Sequence, residues 1–502
     1  MNTGIAYALS LNDHNLTFNG RAEIRSTSSN TESFVATGFP KGVGAIPSFA
    51  YSFKENSTPG YSESISRGVS FLGTFNYNYK YRYLFDASLS SDGSTSFGRD
   101  KKFQTFWSVG AGWNVSKESF AKDWDWMQEL KLRGSFGSNG NQNVSNLTSN
   151  VYSYYAGSDI FGTASYLSGY ANPNLEWQVV KKTSVGIDLM FWDNRLLLTM
   201  DYYHTNTNPL VVSIQQKPSS GLSTLPINLG HLNTNGFEFN VSWYAIRNLE
   251  KRIMLNFRLN GNTYKSVYGG FGEALANLND AYKKDSSVDS KLNVNSMIQY
   301  QDGESPTALF AVRSLGIDPA TGKEVFLTKN GTPTFDYNAD DRVKIADTNP
   351  KIRGVFGISF TYKNLQASVN LRYNLGSFAF NSALFNKVEN ISASNIAYNQ
   401  DKRALYSRWQ NAGDVSQFKG ISLTTQTPIS SRFVQRDNYL RGESARISWD
   451  FSRDEWIKRL FLKDLRFNVS FNDFFDLSEM KRERGTDYPF QRAISFGLSA
   501  RF

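Results

Sequence analysis

Aromatic residues make up 15% of this 502-residue chain, yet its mean hydropathy is −0.44 and no window nears the run of about 18 apolar residues that a membrane-crossing helix needs. A chain of this composition enters a membrane as strands or not at all. The net charge of +9 is scattered with no basic block, which argues against a nucleic-acid partner, and the absence of cysteine removes disulfides and thiolate metal sites.

The first residues, Met1 to Ser10, have neither a basic start nor an apolar run, so they are no signal peptide. They begin a strand pair instead, over 3–10 and 15–25, closed at Asn12–Asn15. After a polar loop, about 26–65, come strands over 66–80 and 81–91. Strand 104–116 shows the cleanest alternation: Trp107, Val109, Ala111, Trp113 and Val115 face one way, and Ser108, Gly110, Gly112, Asn114 and Ser116 the other. A turn with Trp124 and Trp126, read as one helical turn at the interface, leads into strand 129–137. The loop at about 138–173 is rich in Asn, Ser and Tyr. Strand pairs over 175–192 and 195–211, then 228–246 and 251–267, flank a loop at about 212–227. The excursion over about 268–350 is long enough for a small subdomain. Strands over 352–363 and 365–378, a loop at about 379–433, and strands over 435–452, 463–476 and 491–502 finish the chain.

In the last strand Ile494, Phe496, Leu498, Ala500 and Phe502 share one side, while Ser495, Gly497, Ser499 and Arg501 share the other. Repeated over 15 strands, with aromatics near strand ends and long polar excursions between, this predicts an all-β, antiparallel transmembrane barrel, apolar toward lipid and polar toward the lumen. Phe502, with no polar tail after it, is the expected barrel-terminal signal. If the last strand runs inward, every short turn lies on the periplasmic side, every long loop outside, and the first strand starts outside. The expectation is therefore an odd number of strands upstream or from another chain. Basic residues near the outer rim are placed to meet anionic lipid or lipopolysaccharide.

Three groups of residues carry candidate chemistry. Asp336, Asn338, Asp340 and Asp347 match positions 1, 3, 5 and 12 of a calcium loop, although Asp341 replaces the turn glycine; no cofactor is required, and Ca2+ is the one suggested. Tyr152, Tyr154, Tyr155, Phe161, Tyr166 and Tyr170 cluster in one outer loop, where aromatic faces suit a flat ligand or packing against a lid. Lys131, Arg133, Glu238, Arg258, Arg372, Arg446 and Arg466 fall on the lumenal side, where they would shape passage or pair with a plug. The three histidines, His14, His204 and His231, are far apart, and Gly134-x-x-Gly137-x-x-Gly140 precedes no helix, so neither a metal centre nor a nucleotide loop is expected, and no enzyme.

Several stretches together resemble the SusC-like TonB-dependent transporters of Bacteroidetes-type bacteria: Tyr81–Gly98, Phe106–Trp113, Leu130–Gln142, Asn172-Pro-Asn-Leu-Glu-Trp177, Asn235-Gly-Phe-Glu-Phe239, Asn349-Pro-Lys351 and Asn438-Tyr-Leu-Arg441. The resemblance runs over essentially the whole chain. It implies an outer-membrane location and a 22-stranded plugged barrel, of which 15 strands counted from the end are strands 8 to 22. It implies a plug, a TonB-contacting segment, an N-terminal barrel part and a signal peptide that are not in these residues. It further implies a SusD-like lipoprotein lid that captures a glycan or peptide oligomer, with energy from the TonB system. A siderophore or cobalamin receptor and a non-transporting surface or adhesin barrel are the alternatives.

Overall fold

The computed structural model describes all residues except 43–45, 55–59, 96, 98–100, 142–150, 156–163, 170, 216–223, 273–278, 280–296, 298, 392, 399, 423–424, 460, 481–491 and 502, so Phe502 lies outside the described residues. Fifteen strands form one antiparallel sheet in chain order: β1 (Asn2–Leu11), β2 (His14–Ser33), β3 (Gly60–Tyr79), β4 (Tyr83–Ser94), β5 (Phe103–Asn114), β6 (Met127–Asn141), β7 (Gln178–Phe191), β8 (Leu196–Thr207), β9 (His231–Asn248), β10 (Ile253–Gly269), β11 (Ile352–Tyr362), β12 (Leu365–Leu375), β13 (Tyr439–Asp450), β14 (Asp464–Ser478) and β15 (Ala493–Arg501). Among the described residues β1 and β15 are the sheet's two edges and do not pair with each other.

Register makes the alternation of each strand into a continuous surface. Directly opposed residues share a face, so Leu11, His14, Tyr79, Tyr83, Trp113, Leu132, Ile187, Met200 and Phe239 form one row from β1 to β9. Leu196, Trp243, Phe257, Ile358, Val369, Ala445, Phe471 and Ile494 form another from β8 to β15. This apolar face is not packed against protein: Tyr7, Trp107, Tyr202, Ile447, Phe496 and Leu498 are all exposed. So long an uncovered apolar band is what a lipid-facing wall presents.

The hairpins at one end close tightly. Asn12, Lys80, Tyr81, Asp193, Asn194, Arg252 and Lys363 take left-handed backbone conformations, which match the turn to the strand twist. Aromatics gather at that end as an interfacial girdle, with Trp126 stacked on Phe191 at 5.7 Å and Tyr79 on Tyr83 at 6.3 Å. The turn holding Trp124 is two short 3-10 turns, Val115–Lys117 and Ser119–Ala121.

The opposite end is more ordered than its polarity suggests. The ladders of β2 and β3 continue through Ser33 and Gly60, shortening the expected 26–65 loop, because their Ser- and Thr-rich tips pair as a hairpin beyond the apolar band. Small hairpins also form from Val151–Tyr155 with Ala164–Gly169 and from Val211–Gln215 with Thr224–Asn228. Between β10 and β11, a four-stranded sheet orders Pro333–Thr334, Glu324–Leu327, Ala308–Ile317 and Arg342–Asp347. It packs on the β12–β13 connection, which contains a ribbon of Phe378–Phe380 with Val434–Arg436 and a short helix, Arg403–Tyr406. Leu309 and Ala311 from the first segment share a core with Phe385, Val388, Ala404, Phe418, Ile429 and Phe433 from the second. Two outer loops thus make one folded loop body.

Candidate functional site

The polar face is built by the other half of each alternation. Asp201, Glu238, Asn262, Arg353, Asn374 and Tyr439 stand directly opposite one another in sequence across β8 to β13. They line the upper side of a recess of about 550 Å³, with Thr199, Asn240, Asn260, Val355 and Arg372 below. One row above, Tyr203 lies flat over Gly236, where any Cβ would fall inside its ring. Asn374 is buried beside Ser377 and donates through Nδ2 to the Asp437 carbonyl at 2.8 Å, joining the recess to the loop body's stem.

The expected lumenal charges are on this face, but several pair within the wall. Arg133 bridges Asp188 at 3.0 Å and Asp201 at 2.7 Å, Arg372 pairs with Glu443, and Arg466 reaches Asp450 at 3.4 Å. Side chains 34 to 49% exposed leave these pairs in contact with water, so each adds little stability.

The loop body holds a different kind of charge. Arg432 contacts Glu324 at 3.0 Å and Glu389 at 2.8 Å, with Glu389 fully buried. Ser430 Oγ donates to Glu324 and Thr427 Oγ1 to Glu389. Buried Arg408 donates to the carbonyls of Ala404, Val388, Glu389 and Lys419. Burial opposes the Arg432 charge most strongly, but Glu389 and Glu324 outweigh it and lift the guanidinium above its ordinary range. Burial pushes the Lys419 amine down, against the pull of the same two carboxylates. None of these residues stands out in the sequence, because Glu324, Glu389 and Arg432 come from three separate stretches.

The Asp-rich segment lies on the small sheet. Asn338 caps the 3-10 turn Ala339–Asp341 by accepting from the Asp340 amide at 3.0 Å. Asp341 accepts from the Lys329 amide at 2.9 Å. Asp347 accepts from Thr307 Oγ1 at 2.6 Å and from the Asn349 amide at 2.8 Å. Asp336 donates its amide to Thr334 Oγ1. Among the described residues no three acidic or histidine side chains are grouped to hold a metal ion. Asn338, Asp341 and Asp347 thus serve as a turn cap and as acceptors for backbone amides and a hydroxyl.

Of the aromatic loop, Tyr152, Tyr154 and Tyr155 lie on one strand of the hairpin and Tyr166 on the other, in register with Ser153; Phe161 and Tyr170 lie outside the described residues. Tyr152 is exposed.

The stretches around Asn172–Trp177, Asn349–Lys351 and Asn438–Arg441 sit where strands meet outer loops. Leu175 and Trp177 are buried, Trp177 stacks on Phe97 at 4.1 Å, and its indole donates to the Lys101 carbonyl at 3.0 Å. Asn172 donates to the Pro226 carbonyl, and the Glu176 amide to Asn228. Asn349 donates to the Tyr264 carbonyl, and Asn438 accepts from Gly376 and donates to Glu479. Gly140, in the discounted glycine run, leaves the space that the Phe106 ring occupies against Trp177. These three stretches are staples that fasten loops to the wall.

A wall with one lipid-facing band, a girdle at its tight-turn end and folded loops at the other is the wall of an outer-membrane β-barrel. Residues 2–316 match the family model described as TonB dependent receptor-like, beta-barrel, and the chain belongs to that family. Within it the chain is SusC-like. It is 26% identical to TonB-dependent receptor P3 of Formosa agariphila over 84% of this chain and 41% of that protein. It is 25% identical to TonB-dependent receptor SusC of Bacteroides thetaiotaomicron over 86% of this chain and 44% of that protein. The chain thus spans less than half the length of these relatives. The RagAB peptide transporter superposes with a TM-score of 0.80 at 18% identity, over 95% of this chain and 51% of that one, which shows a shared fold.

Proposed function

We propose that this chain is wall and outer-loop structure of a TonB-energised importer that moves an oligomeric nutrient, glycan or peptide, across the outer membrane. A SusD-like surface lipoprotein closes it from outside, and a plug meets the polar face. In this reading the chain catalyses no reaction. The observation that carries it is the polar recess on the lumenal face, set beneath a folded loop body large enough to meet a lid. The kinship with SusC and the fold shared with a peptide transporter support the same reading.

The test is purification of the protein from its native outer membrane in mild detergent, with growth of a deletion strain on single glycans and peptides. Co-purification of a surface lipoprotein and loss of growth on one oligomer class are expected. A protein that comes alone, and whose deletion alters growth on none of them, would reject the importer in favour of a structural barrel.

A further inference from the structure

The lipid-facing side of the wall is not filled evenly. On β2 and β3, Gly20 and Gly73 stand directly opposite each other, and their row continues through Leu89 to Trp107 on β4 and β5. Phe18 and Phe75 are opposed on the row nearer the tight turns, and Phe71 stands on the row farther out. The two glycines thus floor a groove walled by rings, about 670 Å³ in volume. A glycine inside a strand weakens it and marks a place where another group comes close. At Gly140 and Gly236 that group is the protein's own, the rings of Phe106 and Tyr203. At Gly20 and Gly73 it is not, because an added Cβ would meet nothing nearer than 3.7 Å and 3.9 Å. The wall leaves this space to an occupant from the membrane.

Arg67 stands on the same face of β3, beyond Phe71 and Val69. Its backbone is fixed on both sides: it pairs with Ser26 on β2, Thr95 Oγ1 accepts from its amide at 3.0 Å, and the Thr95 amide donates to its carbonyl at 3.0 Å. The side chain is exposed and forms no ion pair among the described residues. A strand rises about 3.3 Å per residue, so Arg67 lies about 40 Å along β3 from Tyr79 in the girdle. A tilt of about 40° turns this into about 30 Å of height, against an apolar band about 25 Å tall. The guanidinium therefore stands at the level of the outer head groups. Gly73 lies about 15 Å lower, which is the hydrocarbon depth of one leaflet.

A cation at head-group level, above an apolar groove that reaches one leaflet deep, is complementary to an amphiphile with a negative head. A guanidinium holds a phosphate through paired N–H donors, and the bare glycine floor lets a hydrocarbon chain lie close against the wall. We infer that this groove seats an acyl chain of a phosphate-bearing lipid of the outer leaflet, with the phosphate on Arg67. The assignment uses only the outward face of the wall and is independent of what the importer carries. One basic residue at a charged membrane surface contributes about fivefold in affinity, and salt weakens it.

Trp107 lines the groove and serves as the reporter. The full-length protein is reconstituted into phosphatidylcholine vesicles containing a graded share of phosphatidylglycerol or phosphatidylcholine with brominated acyl chains, which quench indole fluorescence on contact. The Trp107 signal is the difference between wild type and Trp107→Phe. Brominated phosphatidylglycerol is expected to reach half-quenching of that signal at about a fivefold lower share than brominated phosphatidylcholine, and high salt should narrow the gap. Arg67→Gln should abolish the preference, Arg67→Lys should keep most of it, and Gly73→Leu, which fills the floor, should abolish it without removing the charge. Should Gly73→Leu fail to assemble, the two Arg67 variants carry the test alone. Equal quenching by the two lipids, or a preference that survives Arg67→Gln, would overturn the assignment. Disulfide dimers formed by the Gly73→Cys variant on oxidation of native membranes would give the groove to a second copy of the chain and overturn it as well.

Discussion

The lipid-spanning wall and the outer loop body solve the same problem, keeping charge in a folded protein, in opposite ways. In the wall, Arg133 stays about a third exposed, and its carboxylates stand on adjacent strands at positions that alternation dictates. In the loop body, Arg432 reaches carboxylates 108 and 43 residues upstream, and one of them is fully buried. The wall can lose a charge and let water replace it. The loop body cannot, because a buried carboxylate left without its partner keeps the full cost of desolvation.

The largest expected effect follows directly. Arg432→Met should destabilise the loop body by about 3–5 kcal/mol, since it strands Glu324 and Glu389. Hydrogen exchange should rise across 308–347 and 378–436, while the barrel keeps its resistance to unfolding in detergent. Replacing all three charged residues by Met should recover much of the loss, because an apolar cluster carries no unpaired charge. If the single variant exchanges like wild type, the cluster does not hold the two loops together. Smaller, at about 1–3 kcal/mol, is the cost of Gly140→Val, which drives a side chain into the Phe106 ring. Proteolysis within 95–102 and 170–178 should accelerate; unchanged rates would mean that the Phe97–Trp177 stack is not a staple.

The contrast also explains what the sequence discloses. A wall in contact with lipid on one side and water on the other must alternate in every strand, so Trp107 to Trp113 or Ile494 to Ala500 announce both strand and face, and all 15 strands are readable; Val115, which continues the same alternation, has already left the strand for a buried 3-10 turn. The loop body obeys no such local rule. Its core joins Met297 to Phe433, and contacts over that separation leave no short-range pattern. The candidate site falls between the two. Glu238 and Arg372 are legible as lumenal from alternation, but their alignment with Asp201, Asn262 and Arg353 depends on register across five strands. The family motifs are legible for another reason: Asn172, Asn349 and Asn438 satisfy backbone groups where the ladder stops, a need every such loop shares.

The Asp-rich segment tests which side of the contrast it belongs to. As a capped turn, it should lose about 1 kcal/mol on Asn338→Ala, equally with and without calcium. Calorimetry with calcium should then show no heat that Asp336→Ala with Asp340→Ala removes. A calcium-dependent gain in loop protection that those substitutions abolish would instead establish a metal site at this turn.

The smallest effect is confined to acid pH and lies at the tight-turn end of the wall. Glu118 accepts from Tyr83 at 2.7 Å and from the Trp113 indole at 3.0 Å, and pairs with Arg82 at 3.0 Å. The Tyr83 hydrogen bond, then that of Trp113, hold its carboxyl below the usual range, with burial opposing them and Arg82 assisting. A carboxylate with a depressed folded value contributes stability that is complete above the ordinary glutamate range and disappears as pH falls through the folded value. The melting temperature of the wild-type barrel in detergent should therefore exceed that of Glu118→Gln at about pH 7, and the two should converge as pH falls below the ordinary glutamate range. Tyr83→Phe, which removes the strongest of the three contacts, should move that convergence to higher pH. If the difference between wild type and Glu118→Gln stays constant across the range, the residue acts through shape rather than charge, and the girdle is fastened by its aromatic rings alone.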